Sequence, residues 1–475
     1  MNTSAELTPR ALTMLPWLVA IAFFMQMLDA TILNTALPAI AVSFNENPLR
    51  MQAVVVVYLL TVAILIPASG WLAERFGSKH IFLLSIVIFS LGSLCCALSV
   101  NLPMLVMSRF LQGVGGAMLV PVGRLVIMQA YPRDQLVKQL SFIIMPGLIG
   151  PLVGPIVGGI LIEYATWHWI FLINIPIGVL GALATLHCMP NFKRQQVSAF
   201  DWPGFAMFSM VMVLVSLAMG GLGELHLPHV EVLLLMAGGL SFLGSYWLYA
   251  SRRPAPLFTP KLFKIRSFSI GILGNLFSRL GSGALPFLNP LMLQLALGYT
   301  AFQAGLMLAP IAVASLIAKP LINPILKKFS YRSVLLTNTV LSGLLMASMG
   351  LVNDSTPLAL IILILCLLGG VNSLQFTAMN TLTLIELPAE HAAEGNSMLS
   401  VIMQLSASLA VGAAAAILGG FTHSPGTHEQ ILFAFKSTYI CVGILSMLSA
   451  IIYMQLKSSD GQLQSSKNSK VVPGH

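Results

Sequence analysis

Apolar residues in this chain come in long blocks separated by short polar breaks. A membrane-crossing helix needs roughly 20 predominantly apolar residues to pass about 30 Å of hydrocarbon. Blocks near 13–35, 51–71, 80–100, 104–127, 138–161, 168–189, 203–222, 230–250, 268–293, 302–322, 333–352, 357–380, 397–420 and 432–455 predict fourteen transmembrane helices. The breaks carry turn residues, as in Asn45-Glu46-Asn47-Pro48, Asn101-Leu102-Pro103 and Tyr131-Pro132-Arg133-Asp134. The expected fold class is an all-α polytopic membrane protein.

Lysine and arginine then set the orientation. Arg10, Arg75, Lys79, Arg124, Arg133, Lys138, Lys193, Arg194, the cluster from Arg252 to Arg266, Lys327, Lys328, Arg332 and the terminal lysines all fall on one side. Only Arg50 and Lys436 fall in loops on the other, and Arg109, Arg279 and Lys319 lie inside spans. Such a bias marks the cytoplasmic side, so both termini are expected there and the span count is expected to be even. The longest basic loop, Arg252–Arg266, separates eight spans from six. The tail 456–475 reads as polar and disordered.

Composition agrees with lipid as the main solvent. Hydrophobic residues make up 57% and charged residues 8% of the 475, against roughly 25% charged in soluble domains. The net charge of +9 is spread over short loops, which argues against a nucleic-acid partner. Cys95, Cys96, Cys188, Cys366 and Cys441 lie in apolar runs without metal-type spacing and read as small apolar fillers. Arg10 followed by the run 11–28 imitates a signal peptide. That run is too long for one and is read as an uncleaved first span. His226-Leu227-Pro228-His229 has too few companions for a metal site, and no nucleotide loop or catalytic triad occurs. No metal or cofactor is expected, and energy must come from an ion or substrate gradient.

Asp29 is the one acid deep inside a span. Ionisable groups at that depth are costly and functional by default. Apolar surroundings disfavour its charged form, so it can load and release a proton; a permanent ion pair is the alternative. Gln26 shares its helical face, which suits a polar cavity, whereas Thr31 and Asn34 share another face that can simply bond a neighbouring helix. Arg109 never deprotonates. It can tune Asp29, contact substrate, or snorkel to the outer surface; Gln112 lies on its face. Gly150, Gly154 and Gly158 form a flat stripe suited to close helix approach, with Pro155 favouring a kink. Arg279, with Asn275 on its face, is too central to snorkel. Lys319 is near the expected end of its span and can snorkel. Asn372 and Gln375 share a face that can line a cavity.

One repeat is visible: Gly70 to Lys79 links spans two and three, and Asn323 to Arg332, linking spans ten and eleven, looks like its decayed copy. Corresponding halves mark alternating-access transporters.

These segments also carry a family likeness. Leu28-Asp29-Ala30-Thr31-Ile32-Leu33-Asn34-Thr35-Ala36-Leu37-Pro38 resembles the first-span signature of the fourteen-span drug:proton antiporters of the major facilitator superfamily. Gly70 to Lys79 is similar to that superfamily's loop between spans two and three, with Glu74 where Asp is usual and Ser78 where Arg is usual. Arg109-Phe110-Leu111-Gln112-Gly113 resembles the fourth-span proton-coupling motif, and Gly150 to Gly159 the fifth-span antiporter motif. Trp167-His168-Trp169-Ile170-Phe171 with Asn174-Ile175-Pro176 fits too, with His168 where Arg is common.

The resemblance implies two six-helix bundles, 1–190 and 268–455, with two linking helices and a cytoplasmic loop in 191–267. It further implies a proton-coupled exporter in a bacterial inner membrane, working as a monomer on small molecules. Asp29 and Arg109 would couple protons. By the helical faces read above, Gln26, Gln112, Asn275, Arg279, Asn372 and Gln375 would face substrate. Gly70, Glu74, Arg75, Gly77 and Lys79 would form a cytoplasmic gate, and Gly150, Gly154, Pro155, Gly158 and Gly159 the antiporter motif. Intramembrane charge complicates the drug reading, since one acid stands against Arg109, Arg279 and Lys319. That balance suits an organic anion, such as a carboxylate metabolite or its metal chelate, better than a lipophilic cation. A non-transporting sensor or membrane enzyme would need a signalling domain or catalytic cluster, and the sequence offers neither.

Overall fold

The computed structural model describes residues 9–194, 196–223, 227–422, 427–457 and 460. His226 and most of the expected tail lie outside the described residues. Fourteen helical passes follow one another: α1 (Pro9–Phe44), α2 (Gln52–Phe76), α3 (Ser78–Ala97), α4 (Leu102–Ala130), α5 (Arg133–Tyr164), α6 (Trp169–Cys188), α7 (Trp202–Gly223), α8 (His229–Arg252), α9, α10 (Ala301–Lys328), α11 (Tyr331–Met349), α12 (Leu358–Ile385), α13 (Ala392–Phe421) and α14 (His428–Met454). Lipid offers the backbone no hydrogen-bond partners, so a helix, which satisfies its own, is the natural spanning form.

Twelve of these passes are long and apolar enough to cross a membrane by length and composition. The other two are α9 and α11. Pass α9 is broken into Arg266–Ser282, Leu285–Leu291 and a π-helical turn, Met292–Ala296. Pass α11 has 19 residues and buries Asn338, Thr339 and Ser342. Polar groups turned into the bundle, such as Asn275 and Ser278 of α9 and Asn338 and Thr339 of α11, lower the hydropathy of both. Helix starts are capped locally: Thr300 with Gln303 opens α10, and Thr427 with Gln430 opens α14, as reciprocal capping boxes.

The first six passes pack chiefly on one another, as do the last six. Between these two six-helix bundles, α2 crosses α13 and α5 crosses α10. The linking helix α7 lies on α13 and, more lightly, on α2, with α8 packed outside it.

The hydrophobic core is arranged unequally across the membrane. At the end away from the basic loops, one continuous cluster joins both bundles, including Ile32, Leu37 and Ile40 of α1, Leu288 and Leu291 of α9, and Val411 and Leu418 of α13. Toward the basic end it gives way to separate bundle cores, with one further cluster joining Ala63 of α2 to Leu405 of α13 beside α7. Phe82, Val122 and Ile143 centre one core in the first bundle, and Leu335, Leu382 and Tyr453 centre another in the second. Among the described residues two hydrogen bonds cross between bundles, from Gln294 Nε2 to Thr35 O (3.0 Å) and from Ser408 Oγ to Val56 O (3.5 Å). The molecule is therefore sealed at the end opposite the basic loops.

Backbone contact completes that seal. A Cβ on Gly159 would lie 2.6 Å from Ala301 O, and a Cβ on Gly305 would run into the carbonyl of Pro155. Only glycine lets α5 and α10 approach this closely. Gly305→Val should wedge them apart at a cost of about 1–3 kcal/mol. The expected result is faster maleimide labelling of a reporter cysteine at the fully buried position Leu288. Labelling at the unaltered rate would mean that this contact does not hold the end shut.

Candidate functional site

Asp29 sits in the middle of α1, and Arg109 reaches it from α4. Arg109 Nη1 lies 2.7 Å from Asp29 Oδ2, and both side chains are essentially inaccessible, at 1% and 0% exposure. Snorkelling is thereby ruled out for Arg109, whose guanidinium turns into the bundle. It stacks 4.1 Å above the Tyr58 ring of α2. Gln112, one turn along α4, donates from Nε2 to Asp29 Oδ1 (2.8 Å) and to Ser93 Oγ of α3 (2.7 Å). Its Oε1 accepts from Arg109 Nη1 at 2.6 Å. Asn174 of α6 donates from Nδ2 to Asp29 Oδ1 at 2.9 Å. Five helices thus contribute to the network, with α4 and α6 bonding the carboxylate itself and α2 and α3 holding its partners.

A separate cavity of about 280 Å³ lies between the bundles. Thr31 and Asn34 line it from α1, and Pro151 and Pro155 from α5. Facing them are Ser282 and Asn289 of α9, Ser315 and Lys319 of α10, and Asn372 of α12. The cavity side of α1 is therefore the Thr31/Asn34 face. The Gln26/Asp29 face is turned inward, because the carboxylate meets Arg109 and Gln112 of α4 and Asn174 of α6 inside the first bundle.

Of the residues expected to face substrate, Asn372 borders this cavity. Gln112 belongs to the Asp29 network, and Gln26 is buried on the same side of α1. Gln375 is enclosed in a neutral network of the second bundle, where it accepts from Asn338 Nδ2 (2.9 Å) and donates to Thr339 Oγ1 (2.8 Å). Arg279 donates to Asn275 Oδ1 at 3.3 Å and lies 4.6 Å over the Phe376 ring. Its Nη2 is buried without a partner. Lys319 corrects an expectation outright: α10 runs on to Lys328, so Lys319 stands well inside the helix and borders the cavity.

The glycine stripe of α5 packs on α1. A Cβ on Gly150 would lie 2.9 Å from Leu28 N, and one on Gly158 would lie 2.7 Å from Ile32 O. Gly154 faces the Thr31 hydroxyl, and Thr31 Oγ1 donates to Gly150 O at 3.3 Å. The stripe therefore clasps the turn of α1 that carries Asp29, while Pro155 and Gly159 on its other side meet α10.

The α2–α3 loop is stitched to the segment after α6. Gly77 has φ +101°, and a Cβ there would collide with Asn191. Ser78 N donates to Phe192 O (2.9 Å), and Lys79 Nζ donates to Leu186 O (2.6 Å). Glu74 pairs with Arg194 at 3.3 Å, while Arg75 is exposed. Around Gly70 there is open space. All these contacts lie within the first bundle and its exit segment.

Three features escaped the sequence reading. Ser93 and Tyr58 carry no signal beyond being polar in apolar helices. Asp201, which is 5% exposed, caps α7 through Gly204 N (3.2 Å) and accepts from Tyr249 Oη (2.6 Å) and Leu257 N (2.9 Å). An Asp just before Trp202-Pro203 is a readable helix-start signal.

Removing one partner of a buried pair strands the other charge, typically at a cost of about 3–5 kcal/mol. Arg109→Ala should accordingly lower the thermal unfolding temperature more than the double variant Asp29→Asn/Arg109→Gln does. Equal losses would indicate that the pair is not energetically coupled.

Comparison with known proteins bears on the whole of this arrangement. The family model of the Major Facilitator Superfamily matches residues 19–410 and 271–473. A Yersinia enterocolitica protein named "Putative multidrug resistance protein MdtD" is 46% identical over 451 residues, covering 94% of this chain and 95% of the relative. A Pectobacterium atrosepticum protein of the same name is 47% identical, covering 92% and 94%. Among solved structures, a D-xylose-proton symporter superposes with a TM-score of 0.68 at 14% identity, covering 95% of this chain and 99% of that one. A POT family transporter in complex with a thioalcohol-conjugated peptide gives 0.69 at 18%, covering 94% and 96%. The chain belongs to the major facilitator superfamily and is a membrane transporter, not an enzyme.

Proposed function

We propose that this transporter is a proton-coupled exporter of small molecules, with Asp29 as the proton-exchanging group. The observation that carries the reading is the Asp29–Arg109 pair. Among the described residues it is the one ion pair with both partners almost completely buried. The multidrug-resistance name of the relatives supports export.

Protonation of Asp29 removes the charge that compensates Arg109. At about 3–5 kcal/mol, that loss shifts a two-state equilibrium by roughly 10²- to 4 × 10³-fold, since 1.4 kcal/mol is about tenfold. Switching a population from 1:99 to 99:1 needs about 5.5 kcal/mol. One proton therefore supplies most of a conformational switch, and differential substrate binding can supply the rest. Transmission runs from Asp29 along α1 to the α5 glycine stripe, and from Pro155 and Gly159 to α10 of the other bundle. Gly70, Glu74, Arg75, Gly77 and Lys79 then act as the gate at the basic end, which we take as cytoplasmic in a bacterial inner membrane. In this conformation that end is the divided one, ready to receive substrate.

Inverted vesicles test the reading. An imposed pH gradient should drive substrate uptake by the natural protein, and Asp29→Asn should abolish the gradient dependence. Full gradient-driven uptake by Asp29→Asn would sink the proton role.

A second reading concerns the cargo. Among the described residues Lys319 is the one ionisable side chain lining the cavity, no acid lines it, and Arg279, one helical turn from the lining residue Ser282, keeps an unpartnered Nη2. A cavity of that sign favours an organic anion over a lipophilic cation. Lys319→Ala and Arg279→Ala should each weaken the thermal shift produced by organic acids and leave the response to cationic dyes no weaker. A loss of dye binding with organic-acid binding intact would reverse the assignment.

A further inference from the structure

Asp29 as a proton carrier must exist both as carboxylate and as carboxylic acid, and the two forms make opposite demands. A carboxylate only accepts hydrogen bonds, whereas the acid must also donate its O–H. Every group bonded to Asp29 in this structure donates: Arg109 Nη1, Gln112 Nε2 and Asn174 Nδ2. The other titratable neighbours are Tyr58 of α2 and Cys96 of α3, whose thiol points at Gln112 Oε1 from 3.7 Å. When the proton arrives, some neighbour must become an acceptor.

Gln112 is held against that change. Its Oε1 is engaged by Arg109 and its Nε2 by Asp29 and Ser93 together. Turning its amide over would point Nε2 at the guanidinium, donor against donor. Asn174 is under no such restraint. Its Nδ2 donates to Asp29 and, at 3.3 Å, to Ser93, while its Oδ1 is buried with no partner at all. The residue opens the Asn174–Cys188 stretch of α6. Two positions on, Pro176 lacks the N–H that would bond back to Leu172.

We propose that Asn174 is a positioning residue for proton exchange at Asp29: its carboxamide turns over with protonation, offering Nδ2 to the carboxylate and Oδ1 to the acid. The inference rests on the proton role given to Asp29 above. In the acid state the new proton sits on Asp29 Oδ1 and is donated to Asn174 Oδ1. Ser93 then donates its hydroxyl hydrogen to the same amide oxygen and still accepts from Gln112. The proton comes from water on the outer side and is released to water at the basic, cytoplasmic end. The turn exchanges one unmet amide atom for the other, so what changes between states is the partner at Asp29.

The test is infrared difference titration of the full-length protein in lipid nanodiscs, with Asp29→Asn identifying the carboxylic C=O band of Asp29. Asn174→Leu removes a donor to the charged form and an acceptor to the neutral form. Bonds to charged groups are the stronger ones, so the band should develop about one pH unit higher, a tenfold gain in proton affinity. Asn174→Ser, which can donate or accept, should restore most of that shift. An unchanged midpoint in Asn174→Leu overturns the proposal.

A second measurement needs no leucine variant. The side-chain amide band lost in Asn174→Ser should shift in the natural protein in step with the carboxyl band. An amide band that stays fixed while Asp29 titrates also overturns the proposal. If no carboxyl band disappears in Asp29→Asn, it is the proton role of Asp29 that has failed, and the two failures are told apart.

Discussion

A charge inside a membrane protein cannot be left alone, and the rest of this structure is arranged around that constraint. Isolated in hydrocarbon, a carboxylate or guanidinium is prohibitively costly. Together at 2.7 Å, with the remaining bonds filled by Gln112 and Asn174, Asp29 and Arg109 become tolerable. The pairing dictates which way α1 is rotated, which in turn decides that Thr31 and Asn34 border the cavity. It also places the Asp29 turn against the α5 glycines, so a change at the carboxylate is felt where the two bundles meet.

The second bundle answers the same architectural problem without charge. Gln112 on α4 and Gln375 on α12 occupy corresponding helices of their bundles. Gln112 serves an ion pair, while Gln375 serves Asn338, Thr339 and Ser278. One bundle thus holds a network whose satisfaction depends on a proton, and the other a network indifferent to it. Arg279 is the exception. It leans on the Phe376 face in place of an acid, an arrangement that partly compensates a cation.

Much of the fold was legible in the sequence, because hydropathy and the lysine–arginine bias report directly on lipid and on sidedness. Even the two least apolar passes, α9 and α11, were recovered by block length. What was not legible was rotation. Spacing puts Gln26 with Asp29 and Thr31 with Asn34, but it does not say which pair looks into the cavity, since that depends on partners from α3, α4 and α6. Arg109 could have snorkelled by its position; only the location of Asp29 shows that it does not. Lys319 was misjudged because its apolar block ends near residue 322, whereas α10 continues through Pro320 and Pro324 to Lys328. Ser93 was invisible because a serine inside a helix commonly bonds its own backbone.

The meeting of α5 and α10 has a consequence for how readily the sealed end can open. Gly159 and Gly305 bring backbone against backbone there, with no side chain between them. Ordering a leucine or isoleucine on closure costs roughly 0.5–1 kcal/mol of rotamer freedom, and at these two positions no such freedom exists to lose. At these two positions closure orders no side chain, so this part of the contact can be made and broken once per cycle as a smooth bearing surface.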